Sequence, residues 1–339
     1  MLQLNDTSPF AAQIFGLPDA DGVDSLVIVV KGTFQIRGGQ VDLAEEPRPI
    51  VLADEYVGEA GASSLRASTE AHLPKPGTDV IVVGDACAPE QRPVPQLDVA
   101  VSVAGRGKAA RVHGDRHWTE GVRGLRPSRA EPFMRMPVVF ERAFGGLERG
   151  PTGEVVAGEQ RNPVGVGFYR RRSDRAALGQ PVPNIEDIQD PVETPGPTGT
   201  VAGFGPVAPS WLPRLQYAGT YDDAWQKKRA PYLPRDFDPR FFHMAPEGLA
   251  FPQPLQGGEP VVVRGFHPRG VLQFALPQQR PAVVVEWARS EQAVPVSLDT
   301  VVLEPNDECF TMTWRGILTV DKKLLDVRTV RIEQAPPGA

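Results

Sequence analysis

The sequence predicts a mainly β protein: antiparallel β-sandwich or barrel-like lobes, a long Gly/Pro-rich irregular middle, and one or two short helices. Three observations predict it. Several apolar runs alternate with period two, as side chains do on the two faces of a strand. In the last third such runs recur at spacings of roughly 8–15 residues, separated by turn residues, the pattern of sandwiches and barrels. Glycine and proline number 34 and 36 in 339 residues, a load that disfavours long helices yet stays below that of disordered chains.

The elements follow in order. In LVIVVKGTFQI (Leu26 to Ile36), Ile28, Val30, Phe34 and Ile36 share one parity and Lys31, Thr33 and Gln35 the other, which reads as a half-buried strand. The KPG of Lys75 to Gly77 is a turn, because Pro presets φ and Gly accepts positive φ. The strand DVIVVGDA follows it. QLDVAVSV (Gln96 to Val103) places Leu97, Val99, Val101 and Val103 on one face, and the AGRG turn leads to its hairpin partner KAARVHGDRHW. From Gly145 to Pro213, 22 of 69 residues are Gly or Pro. Proline cannot donate to a ladder or sit inside a helix, so regular structure is sparse there. This middle is either ordered by packing across a sheet or mobile and used for binding, and PVETPGPTGT (Pro191 to Thr200) is the best candidate for a disordered tip. TYDDAWQKKRA predicts a short helix near 220–229: Thr220 caps it, acids begin it, and Lys227, Lys228 and Arg229 end it. PVVVRGF and VLQFAL form a hairpin, followed by AVVVEWA, VPVSLDTVVL and CFTMTWRGILTV. The expected organisation is an N-terminal β-rich lobe (1–144), the Gly/Pro-rich middle (145–254) and a C-terminal antiparallel meander (255–339).

The net charge of −6 gives no basic excess to hold a phosphate backbone, so nucleic acid is not an expected partner. The N-terminus MLQLNDTSPF has no basic region followed by an apolar one, and no apolar run approaches the ~20 residues of a membrane span. A cytoplasmic location without membrane contact is the expectation. Cys87 and Cys309 are expected to be reduced and buried.

Searches for chemistry return little. FERAFGG and RNPVGVGF place glycines densely, as a phosphate cradle does. However, Tyr169 and Arg170 stand where G-x-G-x-x-G needs its third glycine, and no helical pattern follows. GRGKAA has Ala109 in place of the Ser or Thr that would hold magnesium. His113, Asp115 and His117 share one strand face, but the histidines would stand ~13 Å apart, too far for one ion. DADGVD (Asp19 to Asp24) lacks the full calcium-loop spacing and its closing Glu. Ser63 and Ser64 sit outside any nucleophile elbow. No catalytic residue, metal site or cofactor is expected. YRRRSDR (Tyr169 to Arg175) reads as a solvated basic run. Trp211, Tyr217, Tyr221, Trp225 and Tyr232 crowd into 22 residues, either as plugs for small cores or as partner-binding anchors.

A series of phrases carries a resemblance: VVKGTFQI, GEAGASSLR, LPKPGTDVIVVGDA, MPVVFERAFGG, RNPVGVGF, PNIED, AGFGPVAPSWLPR, AGTYDDAW and LPRDFDPRFF, in this order. Together they resemble a bacterial domain-of-unknown-function family encoded beside type VI secretion spike proteins and regarded as effector adaptors or chaperones. The resemblance implies a non-enzymatic, cytoplasmic protein. Its partners would be a secreted toxin effector and the spike protein or PAAR-like tip on which the effector is mounted. A β-rich hydrolase acting on glycan or peptide, and a structural part of a contractile injection apparatus, are the alternatives.

Overall fold

The computed structural model describes residues 2–172 and 174–335. Sixteen strands, numbered in chain order, build three principal sheets. They are β1 (Gln3–Asp6), β2 (Ala11–Pro18), β3 (Asp24–Arg37), β4 (Gln40–Leu43), β5 (Thr78–Val82), β6 (Gln96–Val103), β7 (Arg106–His113) and β8 (Ile185–Asp187). The remainder are β9 (Ala250–Phe251), β10 (Pro260–Arg264), β11 (Val271–Ala275), β12 (Pro281–Glu286), β13 (Glu291–Val294), β14 (Val296–Glu304), β15 (Cys309–Thr319) and β16 (Thr329–Gln334). The largest sheet runs β9-β5-β14-β15-β3-β2, with β4 also on β3; a second runs β8-β7-β6-β10-β11; a third runs β1-β16-β12-β13. Pairing is mostly antiparallel, with parallel contacts at β5–β14 and β1–β16. None of these sheets closes into a barrel.

The expected successive segments interleave in space. β3 and β15 pair over eleven positions, from Ser25 opposite Thr319 to Gln35 opposite Cys309, so the two ends of the chain share the centre of the largest sheet. β6, from the first segment, pairs with β10, from the last. The even-numbered residues of β3 and β15 turn inward. Leu26, Ile28, Val30, Phe34, Phe310, Met312 and Trp314 join one contiguous core with β6, β10, β11, β12 and β16. Phe274 stacks on Phe310 with centroids 5.0 Å apart, which packs the five-stranded sheet on one end of the long one.

The hairpins obey their turn chemistry. Ala104 and Gly105 both take positive φ, 50° and 78°, as a two-residue turn twisted with its strands requires. At the KPG turn, Gly77 has φ 73° and a Cβ there would collide with Phe251 O. Only glycine fits where β5 meets β9.

Two expectations are corrected. β3 is buried on both faces: Lys31 and Thr33, read as solvent-facing, are buried under the 46–72 segment. Arg48 N donates to Thr33 Oγ1 at 2.8 Å, and Lys31 Nζ donates to Pro49 O at 3.1 Å. The short helix, α1, runs Asp223–Lys228 and is capped by Asp222, whose carboxylate accepts from Trp225 N at 2.7 Å. Thr220 instead donates its hydroxyl to Asp236. Asp222 stands three residues before Trp225, the reach of an N-cap, and Thr220 stands too far back.

The Gly/Pro-rich middle is ordered by packing. Val80 N donates to Leu249 O and Val82 N to Phe204 O, both at 2.9 Å, which ties the irregular chain to β5. Within PVETPGPTGT, Pro195 and Gly196 are buried and Gly196 O accepts from Tyr169 N, so this stretch is folded in rather than a free tip. FERAFGG and RNPVGVGF lock together. Phe144–Gly145 pairs in parallel with Val166–Gly167, and Asn162 lies fully buried between them. Its Nδ2 donates to Phe140 O at 2.8 Å and Phe144 O at 3.0 Å. Gly145 has no room for a Cβ because Asn162 O stands against it. These glycines let two backbones approach; they do not mark a phosphate loop. Asn162→Ala removes the donor to Phe144 O and leaves Phe140 O with only its bond from Ala143 N, and is expected to cost about 1–3 kcal/mol, measured as a lowered urea midpoint with unchanged slope.

Candidate functional site

Two features stand out from the scaffold: a buried charge network on the outer face of the long sheet, and a large cleft beside it. The network follows strand register. Asp79, Thr300, Thr313 and Lys31 are successive Cα partners across β5, β14, β15 and β3. A register shift between Leu298 and Thr300 brings Asp299 into the same layer, as a bulge re-aims a side chain. Lys31 Nζ bonds Glu70 Oε2 at 2.7 Å, and Thr313 Oγ1 donates to Glu70 Oε1 at 2.8 Å. Arg315 reaches Asp299 Oδ2 through Nε at 3.2 Å and Nη2 at 3.0 Å, and donates Nη1 to the carbonyls of Glu70 and His72. Lys75 Nζ bonds Asp79 Oδ2 at 2.6 Å and lies 3.7 Å from Asp299 Oδ1. Three cations thus face three carboxylates.

Burial alone would raise the carboxyls of Asp79 and Asp299. Lys75 and His243 beside the first, and Arg315 and Lys75 beside the second, outweigh it and hold both below their ordinary values. His72 is pushed down to about 3, first by burial and then by the Arg315 guanidinium. Its Nδ1 lies 2.7 Å from Leu73 O and its Nε2 3.0 Å from Arg315 Nη2. Only the neutral Nδ1–H tautomer satisfies both neighbours.

Asp79 also links the network to the cleft, because its Oδ1 lies 2.8 Å from His243 Nδ1 and His243 lines the cleft wall. The cleft encloses about 1330 Å³. Its walls come from the start of β7, the end of β8, the Arg214–Tyr217 and Pro239–Phe242 turns, and β9. Arg214 is its most unusual member. It is only 6% exposed, donates Nε to Phe241 O at 2.9 Å and Nη1 to Val207 O at 2.6 Å, and meets no carboxylate among the described residues. Burial lowers its pKa to about 10. Arg240 lies over the Tyr217 ring at 4.4 Å and is held by Asp238. Lys108 touches only the carbonyl of Glu247, at 3.4 Å, and burial lowers its pKa.

The five aromatic candidates separate. Trp211 is buried and meets Phe140 edge-on at 5.4 Å in a small core with Leu65 and Val207. Tyr217 lines the cleft. Tyr221, Trp225 and Tyr232 gather on the arm that carries α1: Tyr221 and Trp225 pack with centroids 4.7 Å apart, and Trp225 Nε1 donates to Tyr232 O at 2.8 Å. Tyr221 is 53% exposed and Tyr232 40%. Arg229 anchors the arm to the Asp19–Asp24 turn by donating to Ala20 O.

The weaker motifs are absorbed locally. His113 faces Glu186, Asp115 faces Arg142 and Asn184, and His117 faces Ser128, so the three do not converge. Asp19 closes its own turn by accepting from Asp21 N and Val23 N. Ser64 donates to Glu141. Both cysteines are free and buried, and burial with Glu304 pushes the Cys309 thiol up to about 12. Of YRRRSDR, Arg170 pairs with Glu148, and Ser173 lies outside the described residues. No helix is long and apolar enough to cross a membrane among the described residues.

A profile of an uncharacterised protein family conserved in bacteria (DUF2169) matches residues 21–315. The chain belongs to that family. No curated protein and no solved structure matches it. The DUF2169 span holds every residue of the charge network, ending at Arg315, together with the whole cleft and the aromatic arm. The cleft and the network, assembled from six or more distant segments, were missed by sequence reasoning. The one available signal was charge inside apolar strands: Lys31 in VVKGTFQI and Arg315 in TMTWRGIL.

Proposed function

We propose that this DUF2169 protein is a non-enzymatic adaptor or chaperone that binds a type VI secretion effector and helps load it onto the spike protein or PAAR-like tip. It acts in the cytoplasm, before the apparatus fires. The observation that carries the reading is the open cleft of about 1330 Å³. Small-molecule sites usually enclose ~300–1,000 Å³ and bury their ligand, whereas a larger open cleft with stacked Arg and Tyr suits a protein segment. The exposed Tyr221–Trp225–Tyr232 arm adds a second contact of the kind that anchors interfaces. The choice of partners rests on the resemblance of the ordered phrases to a family encoded beside spike genes.

A hydrolase reading has one observation in its favour: the buried Asp79 carboxylate orients His243 at the cleft wall, as a general base is oriented. Asp79 is, however, also held by Lys75 Nζ and Met244 N, which suits a structural anchor.

Co-expression of the tagged chain with the proteins encoded beside it tests the proposal. A stable complex with a toxin or spike protein is expected, and none forming with folded partners would sink it. Trp225→Ala should weaken that complex about 10- to 100-fold, in the range of interface anchors. Because the arm is peripheral, thermal stability should stay within about 1 kcal/mol of the parent.

A further inference from the structure

We infer that the cleft takes an extended peptide segment bearing a carboxylate, which seats against the free edge of Arg214, with neighbouring apolar side chains against Tyr217, Leu212 and Pro252. This specifies the chemistry of the partner segment and rests on reading the cleft as a partner site.

The argument begins with what Arg214 lacks. A guanidinium carries five N–H donors. Backbone carbonyls of Phe241 and Val207 take Nε and Nη1, the Phe241 ring packs 5.3 Å from its centre, and Nη2 meets no acceptor among the described residues. A cation this deeply buried is normally paired, and an anion supplied by a ligand completes the pairing. Two other cations around the cleft are already engaged. Arg161 is held by Glu159 and Arg240 by Asp238. Asp187 and Glu247 stand near Lys108. Arg214 and Lys108 are therefore the lining cations that form no ion pair among the described residues, and Arg214 is the more deeply buried, with Asp54 and Asp79 acting on it only at longer range.

Donor geometry separates a carboxylate from a phosphate. Phosphate and nucleic acid are gripped by bidentate forks and by several cations at once. Here Nε and Nη1 of Arg214 each already donate to a carbonyl, leaving Nη2 without an acceptor among the described residues, and Asp187 and Glu247 on the wall would repel a dianion. One remaining N–H edge suits a monovalent carboxylate. The size of the cleft, its openness to solvent and its proline-rich walls favour a chain passing through it over a small metabolite.

An array of ten-residue peptides of randomised sequence, probed with the purified full-length chain, tests the inference without any knowledge of the natural partner. The selected peptides should share an Asp, a Glu or a free C-terminus beside apolar residues. Replacing that carboxylate by its amide should weaken binding at least tenfold by fluorescence titration. Arg214→Gln should abolish the preference for the carboxylate, and Arg214→Lys should restore part of it. Should Arg214→Gln fail to fold, Leu212→Asp at the cleft wall provides the second variant, expected to weaken acidic peptides at least tenfold. Selection without acidic preference, no selection at all, or tighter binding of inorganic phosphate or a 20-nucleotide RNA than of the peptides overturns the inference. A failed array with a stable complex on co-expression leaves the adaptor reading standing with a different docking surface. Peptide binding without that complex leaves the cleft chemistry standing and removes the adaptor reading.

Discussion

Alanine in place of Asp299 is expected to destabilise the protein by about 3–5 kcal/mol, the range for removing one partner of a buried ion pair. The side chain is almost fully buried and receives two donors from Arg315, with Lys75 nearby. Its loss leaves three buried cations facing two carboxylates, and Arg315 keeps only neutral acceptors, the carbonyls of Glu70 and His72 and the His72 Nε2. Carbonyl dipoles do not neutralise a charge in a low-dielectric layer, so the penalty is that of an uncompensated guanidinium. The network's attraction need not exceed its desolvation cost, which yields a second, discriminating expectation. The double variant Asp299→Ala, Arg315→Met removes both charges and should be less destabilised than the sum of the two single variants by more than 1 kcal/mol. Chemical denaturation of the four proteins in the cycle measures both effects. If Asp299→Ala lies within 1 kcal/mol of the parent, the layer is hydrated and the network does not hold the sheet.

This layer also marks where sequence reading stopped. Period-two alternation located β3 and β6, short apolar runs between turns located β10 and β15, and turn chemistry placed the Ala104–Gly105 hairpin. Those are local signals, carried by residues a few positions apart. Whether Lys31 and Thr33 face water depends on a cover made by the 46–72 segment, which has almost no periodicity and so no visible preference for a sheet face. The pairing of β3 with β15 depends on residues nearly 300 positions apart, beyond any window of alternation. Asp299 enters the layer through a bulge, which reverses the parity that alternation relies on. The aromatic cluster was legible as a composition but not as a site: one irregular segment sends Trp211 into a core, Tyr217 into the cleft and Tyr221, Trp225 and Tyr232 outward. Arg214 gave no signal at all, since an arginine in WLPRLQY is ordinary until Phe241 O and Val207 O are brought to it.

Acid should unfold the protein from a pH well above the carboxylate range, and His72 sets where that begins. Its folded pKa is pushed down to about 3 by burial and by Arg315, against about 6.5 for a histidine in the unfolded chain. Between those values the unfolded state binds one proton more than the folded state. Stability therefore falls as pH falls, by roughly 1.4 kcal/mol per unit once His72 is fully protonated in the unfolded chain. Above about pH 6.5 its contribution is fully present. The groups packed around the ring leave no easy accommodation of the proton: Arg315 Nη2 faces Nε2, Lys75 lies close by, and Phe242 stacks on the ring at 4.9 Å. Asp299, 4.0 Å away, and the bond to Leu73 O favour the proton, but Asp299 is already committed to Arg315 and burial with Arg315 outweighs both. Below about pH 4 the depressed carboxyls of Asp79 and Asp299 add losses of the same sign, because the unfolded chain protonates them first. His267, lowered by burial and Arg269, contributes in the same direction from the periphery. Unfolding free energies measured from pH 7.5 to pH 4 should show the slope, and His72→Gln should flatten it between about pH 6.5 and pH 4.5 even though that variant is less stable at pH 7.5. A slope unchanged by His72→Gln would assign the acid sensitivity to other groups and remove His72 from the buried, neutral role its two hydrogen bonds require.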